Sequence, residues 1–346
     1  LIRKPHIKLF QEKIDMRFTR ISLFLIVLFS FSILNCFAQE KIDKQLLLVL
    51  NKGGASLTIL EADSMKVLGN VGVGDSPHEV VVSADGKTAF VANYGASTPG
   101  SSLSVIDLKT MKELRRVDLS PLMRPHGIQE IGGKIYFTAE TNRAIARYDP
   151  ASNKVDWIMG TGQNTSHMVV GSLDQKHFYT TNIASDSVTM FEMQNVPPAG
   201  SNITQISVGK QPEAIDLSPD GKEVWVGLNA EGAIDIIDTA TKKISDKVKL
   251  GERPYRVKFT PDGKQVFSTL PNTKELVVNN VATRKEIKRI KLEDVPLGII
   301  FSKDGKFAFV TTIQKDGVIK IDVEKFEVVG KAEAGAEPDG VALAGI

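Results

Sequence analysis

A segment of one design recurs seven times along this chain. Its starts are Pro77-His78-Glu79-Val80, Pro125-His126-Gly127-Ile128, Ser166-His167-Met168-Val169, Pro212-Glu213-Ala214-Ile215, Pro254-Tyr255-Arg256-Val257, Pro296-Leu297-Gly298-Ile299 and Pro338-Asp339-Gly340-Val341. Successive starts lie 48, 41, 46, 42, 42 and 42 residues apart. A chain with such a period builds one supersecondary unit many times over, and each unit needs its neighbours to bury its apolar face.

Each copy reads as four short strands. Asp85-Gly86, Asp220-Gly221, Asp262-Gly263 and Asp304-Gly305 close the hairpin between the first two strands, where a positive φ is needed. Second strands alternate and carry aromatics, as in Phe90-Val91-Ala92-Asn93 and Tyr179-Thr180-Thr181-Asn182. Third strands end on an acid, at Asp107, Asp149, Asp238 and Asp322, which reads as a turn cap. Period-2 alternation with Gly, Asn and Asp punctuation is a strand pattern. The expected fold is all-β: a seven-bladed β-propeller of four-stranded antiparallel blades. Strands at Leu46–Asn51, Ser56–Glu61 and Val67–Val73 lack an inner partner before them, and one strand follows Pro338. The C-terminal strand is therefore expected to join the N-terminal blade and close the ring, which removes open sheet edges.

The first 38 residues follow a different rule. Met16 leads through Arg17 and Arg20 to an apolar run from Ile21 to Leu34, then to Cys36-Phe37-Ala38. That order matches a secretory signal peptide cleaved after Ala38. The run is too short to anchor the mature chain as a membrane-spanning helix. Residues 1–15 are expected to be an upstream extension. Residues 39–346 are then a single propeller, periplasmic or secreted. Asn35 stands where a lipoprotein signal wants a small residue before Cys36, which argues against lipidation. The whole chain carries 43 Lys+Arg and 41 Asp+Glu. Six of those bases and two of those acids fall in residues 1–38, so the remainder holds 37 and 39, net −2. This balance gives nucleic-acid binding no support.

Chemistry concentrates at one repeat position. The residue after each start is His78, His126, His167, Glu213, Tyr255, Leu297 and Asp339 in turn. Equivalent residues of successive blades must neighbour one another around the central channel. Three imidazoles are thus expected to line one open mouth. Counting about sixteen residues onward gives Asn51, Asn93, Glu140, Asn182, Leu228, Leu270 and Thr312, a ring polar on one side and apolar on the other. The expected ligand-binding set is His78, His126, His167 and Glu213, with Asn93, Asn182, Tyr255 and Arg256. Imidazole and carboxylate can also act as acid and base, which makes His126, His167 and Glu140 the catalytic candidates. With His78 they are the candidates for a divalent metal, the one cofactor the sequence suggests. Arg124 and Arg256 are expected to pair with acids such as Glu79 or Glu252. Trp157 and Trp225 read as packing between blades.

The motifs Ser218-Pro219-Asp220-Gly221-Lys222, Phe90-Val91-Ala92-Asn93 and Ile236-Ile237-Asp238-Thr239 resemble those of the YVTN β-propeller repeat family along essentially all of residues 39–346. Pro77-His78-Glu79-Val80 with Val91-Ala92-Asn93-Tyr94-Gly95 resembles seven-bladed lactonases of the 6-phosphogluconolactonase type. Pro125-His126-Gly127-Ile128, with Ile135 to Glu140 and Ile145 to Pro150, resembles virginiamycin B lyase. The lyase likeness implies a metal held by histidine and glutamate on a propeller. Since one fold hosts many activities, two readings follow. The first is an exported, non-catalytic propeller that holds a small molecule, peptide or protein partner at its mouth. The second is a lactonase- or lyase-like enzyme using the His/Glu cluster there.

Overall fold

The computed structural model describes residues 45–194 and 201–345. The expected signal segment, Cys36 and the cleavage point lie outside them. Among the described residues no helix is long and apolar enough to cross a membrane. These residues form seven sheets of four antiparallel strands. In blade 2 the strands run Pro77–Val82, Thr88–Asn93, Ser102–Asp107 and Lys112–Asp118, from innermost to outermost. Blades 3 to 7 repeat that order, their innermost strands lying at Pro125–Ile131, Ser166–Gly171, Pro212–Leu217, Arg256–Phe259 and Pro296–Phe301.

Blade 1 is assembled from both ends of the described chain. Pro338–Gly345 pairs antiparallel with Gln45–Asn51, from Gln45 opposite Gly345 to Val49 opposite Val341, and after a register shift Asn51 opposite Pro338. The ring closes as the repeat arithmetic requires.

Packing follows from period-2 alternation. Along a second strand such as Thr88–Asn93, Ala89 and Val91 face the core shared with blade 1, while Phe90 and Ala92 face that shared with blade 3. Seven such cores occupy the seven seams between blades. Trp225 is fully buried in the seam of blades 5 and 6, and Trp157 packs between blades 3 and 4, as expected. The seam between the last and first blades also holds a cation. Lys320, 7% exposed, donates to the carbonyls of Ala62 (3.3 Å) and Asp63 (3.1 Å) and lies 4.1 Å above the Phe307 ring.

The turns carry the predicted chemistry. Gly86, Gly221, Gly263 and Gly305 have φ between 69° and 74°. Asp107 and Asp238 accept from the backbone N–H of Thr110 (2.6 Å) and Thr241 (2.7 Å), so they cap outer turns.

In every blade but the sixth the innermost strand also breaks register at its start. In blade 2 Pro77 lies opposite Asn93 but Glu79 opposite Ala92. Equivalent shifts occur in blades 3, 4, 5 and 7. Such bulges re-aim the side chains they contain. The residues caught in them are His78, His126, His167, Glu213 and Leu297. Close approach of neighbouring inner strands also selects glycine next to them. A Cβ on Gly340 would stand 2.2 Å from the His78 carbonyl oxygen, and one on Gly298 2.2 Å from that of Asp339.

Candidate functional site

The bulged residues of blades 2, 3 and 4 do meet. The ring centroids of His78 and His126 are 4.7 Å apart, and those of His126 and His167 are 3.7 Å apart and inclined by 33°. Tyr94 joins the stack, 4.6 Å from His78 and 5.3 Å edge-on to His126. Rings from three blades in mutual contact place this cluster at the axis of the ring. The exposure differs from the expectation. His126 is only 2% exposed, buried between the two partly exposed imidazoles rather than lining an open surface beside them.

Hydrogen bonds set the tautomers. A carbonyl oxygen only accepts, so His78 donates Nδ1–H to Ser76 at 2.9 Å. His167 donates Nδ1–H to Glu140 Oε1 at 3.1 Å, and Glu140 Oε2 accepts from the Tyr94 hydroxyl. On the far side of His167, Nε2 lies 3.9 Å from Glu213 Oε1, and the other Glu213 oxygen accepts from Asn229. A polar chain thus crosses blades 2 to 5: Tyr94, Glu140, His167, Glu213, Asn229. Beside it Nδ1 of His126, and at its end Oδ1 of Asn229, are buried without a hydrogen-bond partner.

Burial dominates the electrostatics. It holds His126 well below its ordinary value, reinforced by the neighbouring imidazoles, and lowers His78 against the opposing pull of Asp339. Burial alone would raise Glu140, but the His167 and Tyr94 hydrogen bonds bring it below the usual carboxylate range. Tyr94 is pushed up to about 12 by burial and by Glu140. Across the mouth, Tyr255 donates to both oxygens of the fully buried Asp339, at 2.9 and 3.0 Å. Arg256 pairs with Glu79, lies 3.7 Å from Asp339 and stacks 4.4 Å from the Tyr255 ring. Lys52 approaches Asp339 at 3.8 Å. Arg124 does not find an acid; it lies 4.6 Å from the Tyr94 ring and donates to the carbonyls of Gly95 and Ala96.

Three sequence expectations need correction. The first concerns register. The blade 3 hairpin turns at Gly132-Gly133 and is two residues shorter than its counterparts, so Ala139, not Glu140, lies opposite Pro125. Glu140 therefore stands one step further on, at the level of Tyr94 and Asn229. The second concerns Asn93 and Asn182, which lie inside their blades rather than at the mouth. Asn93 is 2% exposed; it accepts from Gly74 N–H and donates to Ser102 and Ser104, and Asn182 bonds Ser166, Ser187 and Thr189. Leu228 and Leu270 occupy the same buried level and form no apolar wall of the mouth. The third is the metal. Among the described residues no three His, Cys, Asp or Glu side chains form a group able to hold an ion. Lone pairs lie in ring planes, and His126 and His167 are stacked, so their nitrogens do not converge at the ~2 Å that coordination needs. His78 and His167 also commit Nδ1 elsewhere. The set His78, His126, His167 and Glu140 does not fit a metal.

Sequence reasoning missed Tyr94, Asn229 and Lys52, each the residue after the position counted from the proline. Reading one residue further would have found them.

The sequence profile of the YNCE-like beta-propeller family matches residues 127–301. Antigen Lp49 of Leptospira interrogans is 24% identical over 174 residues, which cover 44% of this chain and 37% of that protein, so the match spans well under half of the curated relative. A functionally unknown protein of Desulfotomaculum acetoxidans superposes with a TM-score of 0.75 at 13% identity, over 86% of this chain and 98% of the other. A Bacteroides uniformis protein proposed to be a 6-phosphogluconolactonase gives 0.74 at 13% identity, over 87% and 100%. Kuenenia stuttgartiensis hydrazine synthase gives 0.64 at 18%, over 76% and 88%. At these identities the structural likenesses speak for the fold alone. Seven closed blades and a profile match over half the chain lead to one assignment: the chain belongs to the YNCE-like β-propeller family.

Proposed function

We propose that this chain is an exported propeller that holds a ligand at the channel end bearing His78, Tyr94, His126, Glu140, His167 and Glu213, without transforming it. The observation that carries the reading is the buried, unpartnered Nδ1 of His126 in this polar cluster. A buried polar atom left unmatched costs about 1–3 kcal/mol, and a site for a bound group is a physical reason to keep one. A small molecule, or the tip of a peptide or protein partner, meets that description. Export rests on the order of charge, apolar run and small residues from Met16 to Ala38. The test is native mass spectrometry of the protein isolated from its own host. A ligand adduct should be present on the wild type and absent from the His126→Ala, His167→Ala double variant, with the fold retained by circular dichroism. An adduct that survives the double substitution overturns the reading.

One observation favours the enzymatic alternative, a lactonase- or lyase-like activity. His167, oriented by Glu140 through Nδ1, presents Nε2 as a base, which is the arrangement of a carboxylate-positioned general base. Turnover of simple lactones that is lost in His167→Gln would favour it over plain binding.

A further inference from the structure

We infer that the ligand carries a donor-only cationic nitrogen, an amidinium, guanidinium or ammonium, and that His167 Nε2 and Glu213 Oε1 receive it. This rests on the mouth being the binding site and adds the chemical class. With Nδ1–H donated to Glu140, the Nδ1–H tautomer of His167 presents a lone pair at Nε2. Facing it, 3.9 Å away, is a carboxylate oxygen that also only accepts. Two acceptors at that distance make no direct hydrogen bond. One nitrogen bearing two hydrogens can sit about 2.9 Å from both and satisfy both.

The surroundings agree with a positive charge. Glu140 and Glu213 flank His167, and burial disfavours the charged forms of His78 and His126. The basic groups across the mouth, Arg256 and Lys52, are already matched by Glu79 and Asp339. The Tyr94 ring beside this pair already attracts one cation, the Arg124 guanidinium 4.6 Å from its centroid, as aromatic faces do. Anions such as sugar phosphates meet the wrong sign here. The buried Nδ1 of His126, packed against His167, is a second unmatched atom in the same cluster.

The test uses three probes of one shape and three charges, namely benzamidine, benzamide and benzoate. Each is titrated into the full chain while the histidine side-chain resonances are followed. Benzamidine should shift His167 and saturate at least tenfold more tightly than benzamide, and benzoate should not bind. Glu213→Gln should weaken benzamidine at least tenfold, while Glu324→Gln, on the exposed turn after the third strand of blade 7 at the opposite end of the blades, should leave it unchanged. Equal binding of the three probes, no benzamidine binding, or benzamidine binding indifferent to Glu213→Gln overturns the inference. The charge series on the wild type needs no variant to fold. A host ligand lost with His126 and His167, together with failure of benzamidine, would leave the mouth as the site and remove only the cation.

Discussion

Acidification below about pH 6.5 should destabilise this propeller through His126. The unfolded chain protonates this histidine near its ordinary value of 6.5, whereas burial and two neighbouring imidazoles hold the folded group well below it. With the folded value depressed, stability is complete above pH 6.5 and falls as pH drops beneath it. One pKa unit is worth about 1.36 kcal/mol, so moving from pH 7.5 to pH 5.5 removes up to about 1.4 kcal/mol through this side chain. At 2% exposure, solvent screening takes little from that figure. Glu140, lowered as a carboxylate, acts only below about pH 4.5, outside the window. His78 contributes with the same sign and is present in both proteins compared. The assay is urea unfolding of wild type and His126→Phe at the two pH values. With an m-value of about 3 kcal/mol/M, the wild-type midpoint should fall by up to about 0.5 M more than that of the variant. Equal falls, or a smaller fall in the wild type, would refute the burial argument.

Deleting residues 338–346 should abolish the cooperative melt. The six paired positions of the closing strand represent roughly 3–9 kcal/mol of backbone hydrogen bonding, comparable to the whole stability of a domain; a truncated chain melting like the intact one would contradict closure. Asn93→Ala should cost about 1–3 kcal/mol, because Gly74, Ser102 and Ser104 lose their buried partner. Ligand binding measured by titration should not change, since Asn93 lies inside its blade. Mass spectrometry of the protein from its host should find Gln39 at the N-terminus; a terminus upstream of Ile21, or lipid on Cys36, would contradict export by cleavage after Ala38.

The repeat made most of the fold legible. Proline starts, Asp-Gly turns and the odd strand after Pro338 were enough for seven blades and their closure, because each is a local backbone requirement copied seven times. The ring of His78, His126 and His167 was legible for the same reason. What escaped was register. A two-residue deletion at Gly132-Gly133 looks like a one-residue one until strands are paired, and that slip set Glu140 level with Asn93 and hid Tyr94. Direction escaped too. The level of Asn93, Asn182 and Leu228 faces into the blades, and a sequence does not show how a bulge turns the residue after the proline while leaving the strand end buried. The metal expectation failed on ring orientation, which no spacing encodes.

The five histidines of the chain offer the most direct test that the mouth is the ligand site. His78, His126 and His167 stack there, while His177 begins the second strand of blade 4 beside the Ser172 turn, at the opposite end of the blade. Side-chain nitrogen NMR of the full chain should show Nδ1–H tautomers for His78 and His167. Adding an extract of the host's envelope small molecules should move the resonances of His78, His126 and His167 and leave His177 unchanged. A ligand adduct seen by native mass spectrometry that shifts His177, or shifts none of the three, would place binding elsewhere and contradict the account.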